Sequence, residues 1–164
     1  RGPRRPTLCP YPTLFRSEEA KTRAAQAFRF EELLAADLKA GRITLNLADQ
    51  AGRVAHLHGH CHQKSFGAMG AVETVLRAVP GLDVRVIESS CCGMAGAFGY
   101  RAETIDVSFA MAELSLFPAL RKAGPDDLVV ADGTSCRHQI HDGVQREAEH
   151  VARVLDRALV PAAE

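Results

Sequence analysis

The sequence predicts an α/β domain: a small parallel sheet in β-α-β-α-β-α order, with cysteine loops at the carboxyl ends of the strands. Two observations predict it. Three short runs rich in β-branched residues alternate with longer segments of helical period, and such alternation implies parallel strands joined by right-handed crossovers. Each run is also followed by a loop that carries cysteine: Cys61 in the first, Cys91 and Cys92 in the second, Cys136 in the third.

Residues 24–40 (AAQAFRFEELLAADLKA) place apolar side chains at helical spacing, and Gly41 supplies a stop. Residues 43–47 (ITLNL) read as a short extended piece, and 49–52 as a turn. The first strand is expected over 53–59 (RVAHLHG), ending near Cys61. A helix over 66–79 stops at Pro80-Gly81. The second strand, 83–88 (DVRVIE), ends just before Ser89-Ser90-Cys91-Cys92. A long helix spans 102–123 and closes at Gly124-Pro125. The third strand, 127–131 (DLVVA), leads into Asp132-Gly133-Thr134-Ser135-Cys136, and a final helix covers 144–159.

Residues 1–17 (RGPRRPTLCPYPTLFRS) carry four prolines and four arginines without periodicity. The stretch resembles translated adaptor sequence, which would make the chain a fragment and Cys9 an accident; a natural disordered leader is the alternative. Residues 18–52 are expected to form a helical lead-in, 53–160 the cysteine-rich domain and 161–164 a tail.

At 164 residues, with 46% hydrophobic and 24% charged content, the chain can bury a core of its own. Lys+Arg and Asp+Glu both number 20, so bulk charge favours neither nucleic acid nor an anionic surface. No apolar run is long enough to span a bilayer, and no signal peptide is evident. Five cysteines, an odd number, point away from a disulfide framework and towards a reducing, cytoplasmic setting.

Adjacent Cys91 and Cys92 have little use in packing, and a disulfide between neighbours closes a strained ring. They make sense when both sulfurs converge on a metal. In a parallel sheet the three cysteine loops share one edge, the edge at which open α/β sheets bind ligands. Helix N-termini near Cys91, Cys92 and Cys136 would favour thiolates there. Four thiolates suit a [4Fe–4S] cluster or a structural Zn site. Zn sites usually draw on CxxC knuckles, and this chain has none, so the cluster is the preferred reading. Cluster geometry then calls for sulfurs roughly 6–7 Å apart. A thiol catalyst built on Cys91 or Cys92 with a nearby His is a third reading.

His56, His58, His60 and His62 alternate and would share one face of an extended segment, with any one of them a possible ligand, proton carrier or hydrogen-bond donor to sulfur. His62 and His138 are expected to stand just behind the ligands. Lys64 and Arg137 adjoin the cysteine loops and would offset thiolate charge, or are simply solvated. Gly93, Gly96 and Gly99 do not form a dinucleotide fingerprint; Gly93 in particular lets the backbone turn tightly beside the sulfurs. Met94, Phe109 and Met111 read as core.

Cys61-His62-Gln63-Lys64, Glu88-Ser89-Ser90-Cys91-Cys92-Gly93-Met94-Ala95-Gly96 and Asp132-Gly133-Thr134-Ser135-Cys136-Arg137-His138-Gln139 together resemble the cysteine-rich CCG domain. That domain occurs in the cysteine-rich subunit of heterodisulfide reductase, in the iron–sulfur subunit of glycolate oxidase, and in anaerobic glycerol-3-phosphate and lactate-utilisation iron–sulfur proteins. The likeness is greatest to the carboxyl-terminal part of FAD-linked D-lactate and D-2-hydroxy-acid dehydrogenases, and it covers about 28–159. The resemblance implies an electron-transfer domain that holds a cluster through Cys61, Cys91, Cys92 and Cys136. It also implies FAD on another domain or partner, a second cysteine-rich or ferredoxin-like domain, an acceptor such as a quinone, and attachment at the inner membrane face through a complex. No CxxCxxCxxxCP run and no FAD-binding sequence is present in the chain. One position departs from the pattern: Gln139 stands where the heterodisulfide reductase motif has its last cysteine. A four-cysteine cluster, or one completed by a ligand other than cysteine, therefore fits better than five-cysteine ligation.

Overall fold

The computed structural model describes residues 17–161. At its centre is an all-parallel sheet of three strands, β1 (Val54–Leu57), β2 (Asp83–Val86) and β3 (Leu128–Val130), in the order β2-β1-β3. The central strand pairs in register on both sides, with Leu57 opposite Val86 and Val130. All three strands are shorter than the β-branched runs suggest. Beyond Leu57 the chain gives up ladder geometry after a last bond from His58 N–H to the Val130 carbonyl (2.8 Å).

Helices cover both faces of the sheet, as a parallel sheet requires. On one face lie α2 (Phe30–Lys39), α4 (Met69–Arg77) and α8 (Val151–Ala158). Ala55 and Leu57 of β1 point into this layer and join Ala35, Val72, Val75, Leu76, Val154 and Leu155 in one buried cluster. On the other face α5 (Ile105–Glu113), α6 (Leu116–Lys122) and α7 (Thr134–Val144) surround Val129, Ala131, Leu116, Phe117, Leu120 and Ile140, and this second cluster includes Cys92 and Cys136. Each fully buried Leu or Phe contributes about 1.5–3 kcal/mol relative to exposure, so the two clusters fix the sheet and with it the edge that carries the cysteines. The remaining helices among the described residues are α1 (Glu18–Ala25), which buries nothing, α3 (Cys61–Ser65) and a single 3-10 turn at Phe98–Tyr100.

Four expected helices differ in extent. The 24–40 segment starts a new helix at Phe30, because the Glu32 carboxylate takes the Arg29 backbone N–H (3.0 Å) and its guanidinium (3.1 Å). The 102–123 helix breaks between Glu113 and Leu116. Pro118 has no N–H to give the Leu114 carbonyl and its ring would collide with it, so α6 restarts at Leu116 with Pro118 in its first turn. The 66–79 segment is preceded by α3 and separated from it by Gly67 at φ +67°. Of the last expected helix, 144–159, only α8 is helical beyond Val144; α7 forms before it, starting in the third cysteine loop and ending at left-handed Gln145 (φ 53°). Residues 43–47 extend antiparallel to the end of α8, joined by Leu47 with Leu159 and by the Val160 N–H to the Asn46 carbonyl (2.9 Å).

Candidate metal centre

The sheet brings four sulfurs from three loops to its carboxyl edge. Cys61 is the first residue of α3, directly after β1. Cys91 and Cys92 lie in the irregular loop after β2, and Cys136 is in the first turn of α7, after β3. Cys61 Sγ sits 3.5 Å from Cys91 Sγ, and Cys136 Sγ sits 3.3 Å from Cys92 Sγ. The inner pair is buried, Cys92 to 3% exposure and Cys136 to none, while Cys61 and Cys91 are half-buried. These separations are S–H···S contacts and are shorter than the roughly 6–7 Å expected of sulfurs on different irons. The four thiols are free. Cys9 lies outside the described residues.

The Cys136 thiol donates to Cys92 and holds the Cys92 sulfur at a pKa of about 4 against the pull of burial, with help from His58 and the Met94 backbone. The same bond, reinforced by burial, pushes the Cys136 thiol far up. Cys61 is raised as well, first by burial and then by its bond to Cys91. Helix starts fall at Cys61 and Cys136 and not at the adjacent pair, where a backbone amide stands instead: Gly93 N–H donates to Cys91 Sγ at 3.2 Å.

His58 is the residue that alternation obscured. It is fully buried, its Nδ1 lies 2.8 Å from Ser89 Oγ, and its Nε2 is buried with no hydrogen-bond partner among the described residues. One ligand atom from each of His58, Cys92 and Cys136 falls within 4.8 Å of the other two. The four alternating histidines do not share a face, because the strand ends at Leu57. His56 Nε2 pairs with Asp127 Oδ2 (2.8 Å). His60 packs with Cys136 Sγ around Gly133, and burial lowers its pKa. Exposed His62 stacks edge-on against His60 and Phe66, with ring centroids 5.4 and 6.3 Å away. A histidine immediately past a strand end, followed by Gly, was the sequence signal for a side chain turned towards the loops.

The other expected site residues brace the loops. Lys64 Nζ donates to the Ser89 carbonyl and reaches Ser90 O at 3.5 Å, tying α3 to the second loop, and its charge works to lower Cys61. Arg137 Nη1 holds the Ala131 and Asp132 carbonyls of the third loop at 3.0 and 2.7 Å. His138 Nδ1 lies 2.7 Å from the Tyr100 hydroxyl. Gly93 has φ +92°, and a Cβ there would land on the Ser108 carbonyl. Gln139, at the departing position, is buried and turns away from the sulfurs. Its Nε2 donates to Ser108 O (3.1 Å) and Oγ (2.9 Å), locking α7 to α5. Asp132, grouped with Glu31 and His150, is already engaged by Gln63 Nε2 (2.5 Å) and the Val151 N–H (3.0 Å), so it serves the framework.

The donor set fits a soft metal or an iron–sulfur cluster: four cysteine sulfurs and a buried imidazole nitrogen. Cys61, Cys91, Cys92 and Cys136 are the residues that would hold such a group. No protein-family model and no solved structure matches the chain. Curated proteins do. Over 102 residues, 62% of the chain, it is 35% identical to a subunit of the anaerobic glycerol-3-phosphate dehydrogenase of Escherichia coli K12, covering 25% of that protein. It is also 30% identical over 92 residues to D-2-hydroxyglutarate dehydrogenase of Pantoea ananatis, covering 55% of the chain and 9% of the relative. The chain thus spans a quarter or less of the length of these relatives, and what it resembles in each is one part of a larger dehydrogenase.

Proposed function

We propose that the chain is an electron-transfer module of a larger FAD-linked dehydrogenase acting on a 2-hydroxy acid or a similar small alcohol, and that it holds an iron–sulfur cluster through Cys61, Cys91, Cys92 and Cys136. The observation that carries this reading is the gathering of four sulfurs from three strand-end loops, in a chain whose relatives are dehydrogenases or their subunits. Such a cluster, when bound, accepts and donates one electron at a time. The protein's part is to ligate, bury and hydrogen-bond. The Gly93 amide directed at Cys91 Sγ stabilises negative charge on that sulfur, and the burial of Cys92 and Cys136 keeps water from the inner pair. The flavin, a second cysteine-rich or ferredoxin-like domain and an acceptor such as a quinone belong to other domains or partners. Among the described residues no helix is long and apolar enough to cross a membrane; attachment at the inner membrane face would come through the larger complex.

Anaerobic reconstitution with ferrous iron and sulfide tests the proposal. The chain is expected to retain about four irons with sulfide and a broad visible absorption that bleaches on reduction. Retention of one zinc per chain, with no iron or sulfide taken up, refutes it.

That second outcome has a specific observation in its favour. Sulfurs 3.3 and 3.5 Å apart approach the edge of a tetrahedron around one zinc, about 3.8 Å for a Zn–S bond of about 2.3 Å. A zinc-stabilised domain that mediates contacts between subunits is therefore the second reading, and it predicts unfolding by chelators with no redox response.

A further inference from the structure

We infer that His58 is a ligand of the metal centre, bonding through Nε2 beside Cys92 and Cys136. The inference rests on the metal-binding reading above and adds to it the non-sulfur donor that the loss of a cysteine at Gln139 leaves open.

Three independent features converge on it. Nε2 is a fully buried polar atom that makes no hydrogen bond of ordinary geometry among the described residues, its one polar influence there being on the Cys92 sulfur, and such an atom costs about 1–3 kcal/mol unless something engages it fully. It is not stranded in an apolar core: His58 forms, with Cys92 and Cys136, a group whose ligand atoms lie within 4.8 Å of one another, all three residues buried. The far side of the ring is oriented as metal-bound imidazoles are. Nδ1 is 2.8 Å from Ser89 Oγ, and Ser89 is itself held by Lys64 through its carbonyl and, at 3.4 Å, its hydroxyl. The tautomer that donates Nδ1–H to Ser89 leaves the Nε2 lone pair to face the sulfurs. Gln139 does not compete for the role, since its amide is committed to Ser108. The ring therefore occupies, from the first loop, the ligand position that the third loop does not fill.

The test uses the whole chain with ring-¹⁵N-labelled histidine, loaded anaerobically with ferrous iron and sulfide, assayed for iron and sulfide, then reduced and measured by pulsed electron paramagnetic resonance. A strongly coupled nitrogen of a directly bonded imidazole is expected in the wild-type chain. It should vanish in His58→Cys, which replaces one ligand by another, and persist in the triple variant His60→Gln, His62→Gln, His138→Gln, which keeps His58. A loaded wild-type chain without that coupling, or a coupling lost in the triple variant or surviving in His58→Cys, overturns the ligand assignment and leaves the cluster reading intact. A wild-type chain that takes up neither iron nor sulfide overturns the cluster reading, and the assignment with it.

Discussion

Two glycines of the second loop share a left-handed backbone but differ in what surrounds them, and this makes the loop's packing measurable. Gly93 has φ +92° and Gly96 φ +69°. A Cβ at Gly96 would meet nothing within 4 Å, so Gly96→Ala suffers the left-handed penalty alone, about 1–2 kcal/mol. A Cβ at Gly93 would land on the Ser108 carbonyl oxygen, with Ser108 C at 2.9 Å and Oγ at 3.1 Å. That carbonyl cannot swing aside: Ser108 is a fully buried residue of α5, and its carbonyl also accepts from Gln139. Overpacking of this kind adds about 1–3 kcal/mol, which brings Gly93→Ala to about 2–5 kcal/mol. At about 2–4 °C per kcal/mol for a chain of this size, Gly93→Ala should melt about 4–20 °C below wild type and Gly96→Ala about 2–8 °C below it. Far-ultraviolet circular dichroism melts of the metal-free chains measure both. If Gly93→Ala melts no lower than Gly96→Ala, the second loop is not pressed against α5 and this account of Gly93 is wrong.

Other expectations follow from the same geometry. Gln139→Ala removes both bonds to Ser108 and opens a buried gap, so urea unfolding should show a loss of about 2–4 kcal/mol. Asp127 has its pKa lowered, chiefly by the bond from His56, so its contribution is present above its unfolded value and is lost as pH falls through the folded one. Asp127→Asn should therefore cost about 1 kcal/mol at neutral pH and less in acid, where wild type has lost the same interaction; a difference that grows on acidification would contradict this. Cys92→Ser should abolish retention of the reconstituted metal, whereas Cys9→Ser should leave metal per chain unchanged, as metal analysis after desalting will show.

Much of this architecture is legible in the sequence because it depends on pattern. The runs around Val54, Val84 and Val129 alternate with helical segments, and that alone implies a parallel sheet with Cys61, Cys91, Cys92 and Cys136 along one edge. What is harder to read depends on single contacts. The break before Leu116 follows from one missing amide, that of Pro118. The start of α7 hides in Thr134-Ser135-Cys136, which has the composition of a turn; only Cys136, Ile140 and Val144, four residues apart, mark it as a helix with a buried stripe. His58 is obscured by its neighbours. A four-residue strand stops before the alternation does, and a rule for extended chain assigns His56, His58 and His60 one face although they have three different surroundings.

Neither sulfur pair is local in the chain. Cys61 and Cys91 are 30 residues apart, and Cys92 and Cys136 are 44. Docking β2 on β1 makes the first two loops neighbours, and the Cys92–Cys136 pair forms only once β3 has docked as well; closing intervals of that length is a loop-entropy cost met by the sheet and its two buried layers. In the metal-free chain the buried Cys136 thiol donates to Cys92 Sγ, a bond that lowers the Cys92 pKa and raises that of Cys136. Thiol ligands give up their protons when they bind metal, so metal uptake by the apo chain should rise with pH.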